Sequence, residues 1–386
     1  METTELLEII ARDEDGQHQF KAQINNQDQL ASELIAFCNS GGGQIFVGVN
    51  NDGTITGLTR EDVSSTNKIL STVATDKVRP AINVKTQNIE LPNGLVMVIT
   101  IADGMSKPYM TKGGVIWVKN GADKRKATSR EEMQRMYQSA SLIHGDEIPI
   151  NGMTISDLDH DYFSKFFEKE YGEKLEEQEV GLAQLLENMN LMKNRDFNIS
   201  GALLFAKKPQ FKLPVFLIKA VCYPGIDIHA DAYLESRDID GKLADIFQKT
   251  LGFILGNLKR PQGEQNVNSE GEYEIPRIAL EEILANALIH RDYFVSAPIR
   301  VFMFDNRVEI ISPGHLPNNL TIENIKKGNS NIRNPILVSF ATKILPYRGL
   351  GNGVRRALKH YAEITFESDR DGNQFIVTFQ RKLATN

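Results

Sequence analysis

The chain alternates between stretches of helical and of strand periodicity. Over 28–39 (DQLASELIAFCN) the apolar positions Leu30, Leu34 and Phe37 or Cys38 recur at helical spacing and predict a helix. Ser40-Gly41-Gly42-Gly43 ends it, since glycine accepts a left-handed cap without steric cost. Residues 44–49 (QIFVGV) read as a buried strand, and Asn50-Asn51-Asp52-Gly53 as a hairpin-type turn with 54–56 returning. Further strands are expected over 82–89, 95–101 and 115–119. A helix begins behind Ser129, whose hydroxyl would form an S-x-x-E capping box with Glu132. Together these make an α+β unit closing near residue 140.

Residues 144–153 (HGDEIPINGM) are polar and turn-rich and read as a linker. The acidic stretch to about 194 reads as two helices, with Phe163, Phe166 and Phe167 on one face as core. Strands are expected over 201–205 and 215–222, helices over 241–257 and 278–290, and a hairpin of 299–304 with 307–311 around Asp305-Asn306. After a loop come segment 336–344, a glycine-rich turn, a helix over 354–361 and a last strand pair, 364–368 and 374–380.

Composition narrows the class. A chain of 386 residues that is 41% hydrophobic and 24% charged can bury real cores, which excludes dominant disorder and a disulfide-rich scaffold. The two cysteines, Cys38 and Cys222, lie far apart and fit a reducing compartment. The start METTELLEIIARDEDG is acidic and amphipathic rather than a secretory signal, and there is no run of about 18 apolar residues to span a bilayer. A soluble cytoplasmic protein of more than one domain, with no membrane partner, is expected. The net charge of −6 hides an asymmetry. From Lys107 to Arg135, eight Lys/Arg face three acids (+5), whereas from Asp157 to Glu187 ten acids face three lysines (−7). Only the first window could serve as a polyanion footprint.

The most informative segment is Arg277-Ile-Ala-Leu-Glu-Glu-Ile-Leu-Ala-Asn-Ala-Leu-Ile-His-Arg-Asp292. Residues four apart stack on a helix, so Glu282, Asn286 and His290 form a polar stripe on an otherwise apolar helix. A carboxylate and an amide aligned this way suit nucleotide hydrolysis: the acid can deprotonate a water, and the amide oxygen is a hard ligand for Mg²⁺. The alternative is the solvent face of an amphipathic helix. Two downstream loops favour chemistry. Ser312-Pro313-Gly314-His315-Leu316-Pro317 follows a strand, and Arg348-Gly349-Leu350-Gly351-Asn352-Gly353 leads into a helix. Spaced glycines let backbone N–H groups crowd an anion, and a helix N-terminus adds a favourable dipole.

This order of elements resembles the GHKL ATPase superfamily of gyrase, heat-shock chaperones, histidine kinases and MutL. It most resembles the branch labelled RecG-like C-terminal. The motifs that carry the likeness are Asn286-Ala-Leu-Ile-His-Arg-Asp-Tyr293, Pro313-Gly-His-Leu-Pro317 and Asn331-Ile-Arg-Asn-Pro335. The resemblance covers about 195–386 and implies ATP with Mg²⁺. It implies Glu282 as the water-activating base, Asn286 as metal ligand, and Gly314, Gly349, Gly351 and Gly353 around the nucleotide. The family's adenine-reading Asp has Ile311 as its gapless match, beside Ser312. A degenerate nucleotide site is the alternative. No G-x-x-x-x-G-K-[ST] loop is present, which argues against an ATP-driven helicase.

The first unit resembles the Schlafen/AlbA-type domain through Gln19-Phe20-Lys21, Ala36-Phe37-Cys38-Asn39-Ser40-Gly41-Gly42-Gly43 and Val47-Gly48-Val49-Asn50-Asn51-Asp52-Gly53. Lys107-Pro108-Tyr109 and the stretch from Val118 to Glu131 fit its later part. This likeness, over about 5–140, implies nucleic-acid binding. Lys107, Lys119, Lys124, Arg125 and Lys126 are the candidate phosphate contacts; a solvated charged loop is the alternative. In nuclease members two carboxylates near the EFK phrase hold a metal. Here Glu14 is present but Gln19 stands at the second place, leaving Glu14 and Asp52 as a candidate nuclease remnant. His18, His144, His160 and His229 show no metal spacing, two distant cysteines make no zinc site, and Trp117 reads as packed.

The expectation is therefore an α+β protein of two domains. A Schlafen/AlbA-type nucleic-acid-binding domain (1–142) is joined by a linker and acidic helical segment (143–195) to a GHKL-like ATP-binding α/β sandwich (196–386). A homo-oligomer that binds DNA or RNA, as a transcriptional regulator or an anti-phage component, is the function such an architecture implies. The alternatives are a non-enzymatic regulator and a metal-dependent nuclease.

Overall fold

The computed structural model describes residues 1–140, 142–228, 232–260, 272–317, 320–349 and 351–381, so His229 lies outside the described residues. The chain divides into two compact units, Met1–Ile143 and His144–Asn386. Both are α+β. No helix among the described residues is long and apolar enough to cross a membrane.

The first unit is built on a four-stranded sheet, in the order His18–Lys21, Gly43–Val47, Gly94–Ile101, Val84–Leu91. The first pair is parallel and is bridged by the helix Gln27–Asn39. The Asn26 side chain caps that helix, accepting from the amides of Asp28 and Gln29. Its inner face packs Leu30, Leu34 and Phe37 on Ile45, Val47 and Ile99. The opposite sheet face is covered by Thr3–Ile10 through Leu6, Ile10, Phe20 and Phe46. At the helix end, buried Asn39 donates to the carbonyls of Tyr109 and Trp117 and accepts from the Tyr109 amide. That fixes a basic hairpin, Trp117–Asn120 with Asp123–Lys126, against the helix. The glycine run is sterically required: a Cβ on Gly42, at φ +83°, would lie 2.7 Å from the Ile101 carbonyl. The helix Arg60–Thr72 has too polar a face for periodicity to reveal it, and the Ser129 box is only half formed. Ser129 Oγ accepts from the Glu132 amide at 3.3 Å, but the Glu132 carboxylate turns to Arg125.

The second unit holds a six-stranded sheet, in the order Glu235–Ile239, Ile218–Cys222, Ile299–Met303, Arg307–Pro313, Gln374–Gln380, Ile364–Asp369. Among the described residues of this sheet, only Ile218–Cys222 and Ile299–Met303 pair in parallel. The helices Leu243–Asn257 and Arg277–His290 lie in the crossover between them and pack on the sheet through one continuous core. Two expectations are corrected. Residues 201–205 are not a strand but part of the helix Ile199–Phe205, all seven of whose residues are buried, with Asn198 capping the Gly201 amide. A short apolar run has no period by which to tell the two apart. Residues 144–153 are not a loose linker. Ile150 and Met153 sit in the core, and Asp146, fully buried, accepts from the Leu337 amide at 3.0 Å at the start of the helix Pro335–Ile344. Phe163, Phe166 and Phe167 are core, as read.

Candidate functional site

The helix Arg277–His290 is buried nearly all round, because the sheet lies under one side of it and other helices flank it. The solvent-face reading of its polar stripe is therefore excluded. Glu282 is only 4% exposed, and Glu282, Asn286 and His290 all line one cavity of about 200 Å³. Both glycine-bearing loops reach the same cavity, through Gly314 on one side and Gly349, Gly351 and Gly353 on the other.

The second loop lies directly over the acid and the amide. A Cβ on Gly353 would stand 2.7 Å from Glu282 Oε2 and 3.0 Å from Asn286 Nδ2. Gly351, at φ +69°, has its missing Cβ position 2.5 Å from the Gly328 carbonyl, so only glycine lets these two chain segments meet. The helix Gly353–His360 starts at this point, and the side chain of Asn352 at its cap position accepts none of the first-turn amides among the described residues. Three residues on, Arg356 Nη1 lies 2.9 Å from Glu282 Oε1. Burial lifts the Glu282 carboxyl above its ordinary range, while Arg356 and Arg348 pull it back.

Charge decides what the cavity favours. Among the described residues, Arg333, Arg348 and Arg356 line it against the single carboxylate Glu282. His290 adds no charge near neutral pH, because burial, with Arg333 nearby, pushes its pKa down to about 4. A site with three guanidiniums, an open helix N-terminus and glycine backbone is complementary to a polyanion.

The motifs whose roles the sequence did not disclose form the frame. Arg333, buried, donates to the His315 carbonyl at 2.8 Å and reaches the His290 carbonyl at 3.5 Å, tying the first glycine loop to the helix end. Asn334 donates to the carbonyls of Ile289 and Arg291. Arg291 lies over the rings of Phe216 and Tyr293, 4.6 and 4.9 Å from their centroids, and donates to Val295 and Ala297. The gapless match at Ile311 does not reach the cavity: strand alternation turns it to the other sheet face. Ser312 lines the cavity instead, its hydroxyl donating to the Ala287 carbonyl at 3.2 Å. Ile310, Phe366, Phe375 and Val377 make the apolar wall beside it.

In the first unit the candidate cations are largely committed to the protein itself. Lys107 pairs with Asp103 at 2.6 Å, Lys124 with buried Glu33, and Arg125 with both oxygens of Glu132 at 2.8 and 2.9 Å. Lys119 donates to the Ala122 carbonyl over the Phe37 ring, and burial lowers its pKa. Lys126 alone of the five meets no carboxylate or carbonyl among the described residues, its ammonium lying 5.6 Å from the half-buried Trp117 ring. Glu14 accepts from the Phe20 amide at 2.6 Å, and Asp52 from the Thr54 amide in its own turn at 2.9 Å. Among the described residues no group of three or more His, Cys, Asp or Glu could hold a metal ion. Glu33, 3% exposed inside the helix Gln27–Asn39, was not legible as a charged partner in a run of apolar spacing.

Two family models match the chain. Residues 14–128 match "Schlafen, AlbA_2", and residues 296–379 match "Putative ATP-dependent DNA helicase recG C-terminal". The first unit thus carries a Schlafen/AlbA-type domain and the second a recG C-terminal-type domain. The helix of Glu282 and Asn286 precedes the second match. Among solved structures, the DIP2311 protein of Corynebacterium diphtheriae is similar over 98% of this chain and 80% of its own, at 21% identity and a TM-score of 0.47. The N-terminal domain of a RecG-related protein of Nitrosomonas europaea is similar over 34% of this chain and 96% of its own, at 17% identity and a TM-score of 0.23. No curated protein matches the chain.

Proposed function

We propose that the chain is a nucleic-acid-binding protein whose second unit binds ATP with Mg²⁺ and hydrolyses it slowly. One observation carries this reading: Glu282 and Asn286, four residues apart on a buried helix, face the glycine loop and three arginines across a single cavity. The donor set fits the cofactor, since Mg²⁺ is commonly held by one or two protein oxygens with the rest from phosphate and water. The Asn286 amide oxygen would hold it, and the ion, when bound, would neutralise phosphate charge. Backbone amides at Gly349, Gly351 and Gly353 would seat the phosphates. Arg333 keeps the first loop in register. Glu282 would take a proton from water as its oxygen attacks the terminal phosphorus and the ADP oxygen leaves.

Nucleotide occupancy would change how the first unit engages DNA or RNA, with self-association as the coupling step. Transcriptional control and anti-phage defence are the settings this reading supports. A vestigial site is favoured by one feature, the neutral Ser312 hydroxyl where a carboxylate would read adenine. Phosphate release decides between them. Turnover in the wild type that falls by about 10²-fold or more in Glu282→Gln supports catalysis, the range general-base removal gives. Turnover unchanged in that variant removes the enzymatic part.

A further inference from the structure

The cavity as it stands is too small for a nucleoside triphosphate. Its volume of about 200 Å³ is below the roughly 300–1,000 Å³ of ordinary ligand pockets. Gly353 leaves no gap above Glu282 and Asn286 for a phosphate and a cation. The helix Gly353–His360 must therefore lift before the site can fill. What holds it down at that point is the Arg356–Glu282 pair at 2.9 Å, whose side chains are 30% and 5% exposed. Because helical side chains lean toward the N-terminus of their own helix, Arg356 overlies the first turn, where an anion would sit.

From this geometry, and resting on the nucleotide reading above, we infer that Arg356 is an exchangeable latch. It pairs with Glu282 while the cavity is closed and transfers its guanidinium to a triphosphate oxygen when the nucleotide enters. Closure and reactivity then exclude each other. With Arg356 on Glu282, one carboxylate oxygen is occupied and the phosphate seat is covered. With Arg356 on phosphate, the carboxylate is free to accept a proton from water, and the incoming charge has gained a bidentate-capable partner. A purely structural ion pair would make no such exchange. The remaining arginines differ: Arg333 is spent on backbone carbonyls, and among the described residues Arg348 shares no ion pair with Glu282.

The two partners of the pair therefore respond to mutation with opposite sign. Titrating the full chain with the non-hydrolysable probe AMP-PNP·Mg²⁺ by calorimetry, Arg356→Gln is expected to weaken binding by about 10- to 100-fold, the range for one charge-assisted contact. Glu282→Gln is expected to tighten it. The tightening must be several-fold larger with Arg356 present than in the Arg356→Gln background, because charge removal alone helps equally in both. Without nucleotide, both single variants are expected to raise amide exchange across 353–360. If the wild type binds the probe but Arg356→Gln binds it equally, or the two substitutions act additively, the latch is refuted and the nucleotide reading stands. If the wild type binds no probe, the nucleotide reading and the exchange step fall together.

Discussion

Replacing Gly353 with alanine separates the site from the fold. The added methyl would lie 2.7 Å from Glu282 Oε2 and 3.0 Å from Asn286 Nδ2, where ordinary contact begins at 3.4 Å. Both atoms are ends of flexible side chains, so the protein can yield by about 0.7 Å without breaking its backbone. Gly353 is the first residue of a helix, where alanine gains at most the roughly 0.5–1 kcal/mol it has over glycine in a helix interior. Relief of the clash costs a similar amount, so stability should change by no more than about 1 kcal/mol, a few degrees in Tm. The clash exists only while the helix Gly353–His360 is seated on the acid and amide, so the methyl favours the lifted state that takes nucleotide. Nucleotide affinity should therefore rise, by up to about 5-fold for a bias of about 1 kcal/mol, in a protein that still melts normally. Gly252→Ala is the control: it sits exposed within the helix Leu243–Asn257 with no atom within 4 Å of its missing Cβ. It should stabilise by roughly 0.5–1 kcal/mol and leave binding unchanged. A Gly353→Ala protein that binds nucleotide as the wild type does would refute the placement of this loop over the acid and amide.

Burial lifts the Asp146 carboxyl from 3.8 to about 6. The folded state therefore holds the proton more tightly than the unfolded chain, and this contribution to stability is full below pH 3.8 and lost as pH rises through about 6. Asp146→Asn should thus be more stable than the wild type at pH 7–8 by up to about 3 kcal/mol, with the gap closing toward pH 4. Denaturation followed by circular dichroism measures this, with fluorescence of Trp117, the single tryptophan, reporting the first unit as an internal reference; a gap independent of pH would contradict it. In the first unit Lys124→Ala should cost about 3–5 kcal/mol, because it strands the buried Glu33 carboxylate. Lys126→Ala should leave stability alone and reduce the salt dependence of DNA or RNA binding by about one charge. Equal salt slopes for wild type and Lys126→Ala would remove Lys126 from the interface.

Much of the candidate site was legible because the chemistry proposed for it depends on spacing along one helix. Glu282, Asn286 and His290 share a face by helical period alone, and glycines at Gly349, Gly351 and Gly353 mark a loop that must approach other chain closely. Arg356 and Arg333 were not legible as site residues, since nothing local says that a guanidinium will reach across to Glu282 or to the His315 carbonyl. The side of a strand was equally hidden: a gapless match chose Ile311, and the pleat presents Ser312. For the basic window, sequence counted charge correctly but not its partners, because Asp103, Glu33 and Glu132 come from other segments. The readings of 201–205 as a strand and of the segment around Asp146 as a linker fail for different reasons. Burial on all sides erases periodicity in the first, and a single buried carboxylate makes a polar segment structural in the second.

The central claim is that one cavity of the second unit takes a triphosphate and its magnesium between the glycine loop and Asn286. A crystal structure of the Glu282→Gln chain grown with ATP·Mg²⁺ tests this most directly. The phosphates should lie against the backbone of Gly349, Gly351 and Gly353 and the metal on Asn286 Oδ1, with the helix Gly353–His360 lifted from its present seat. Nucleotide bound elsewhere, or a cavity still closed at saturating ATP, would contradict it.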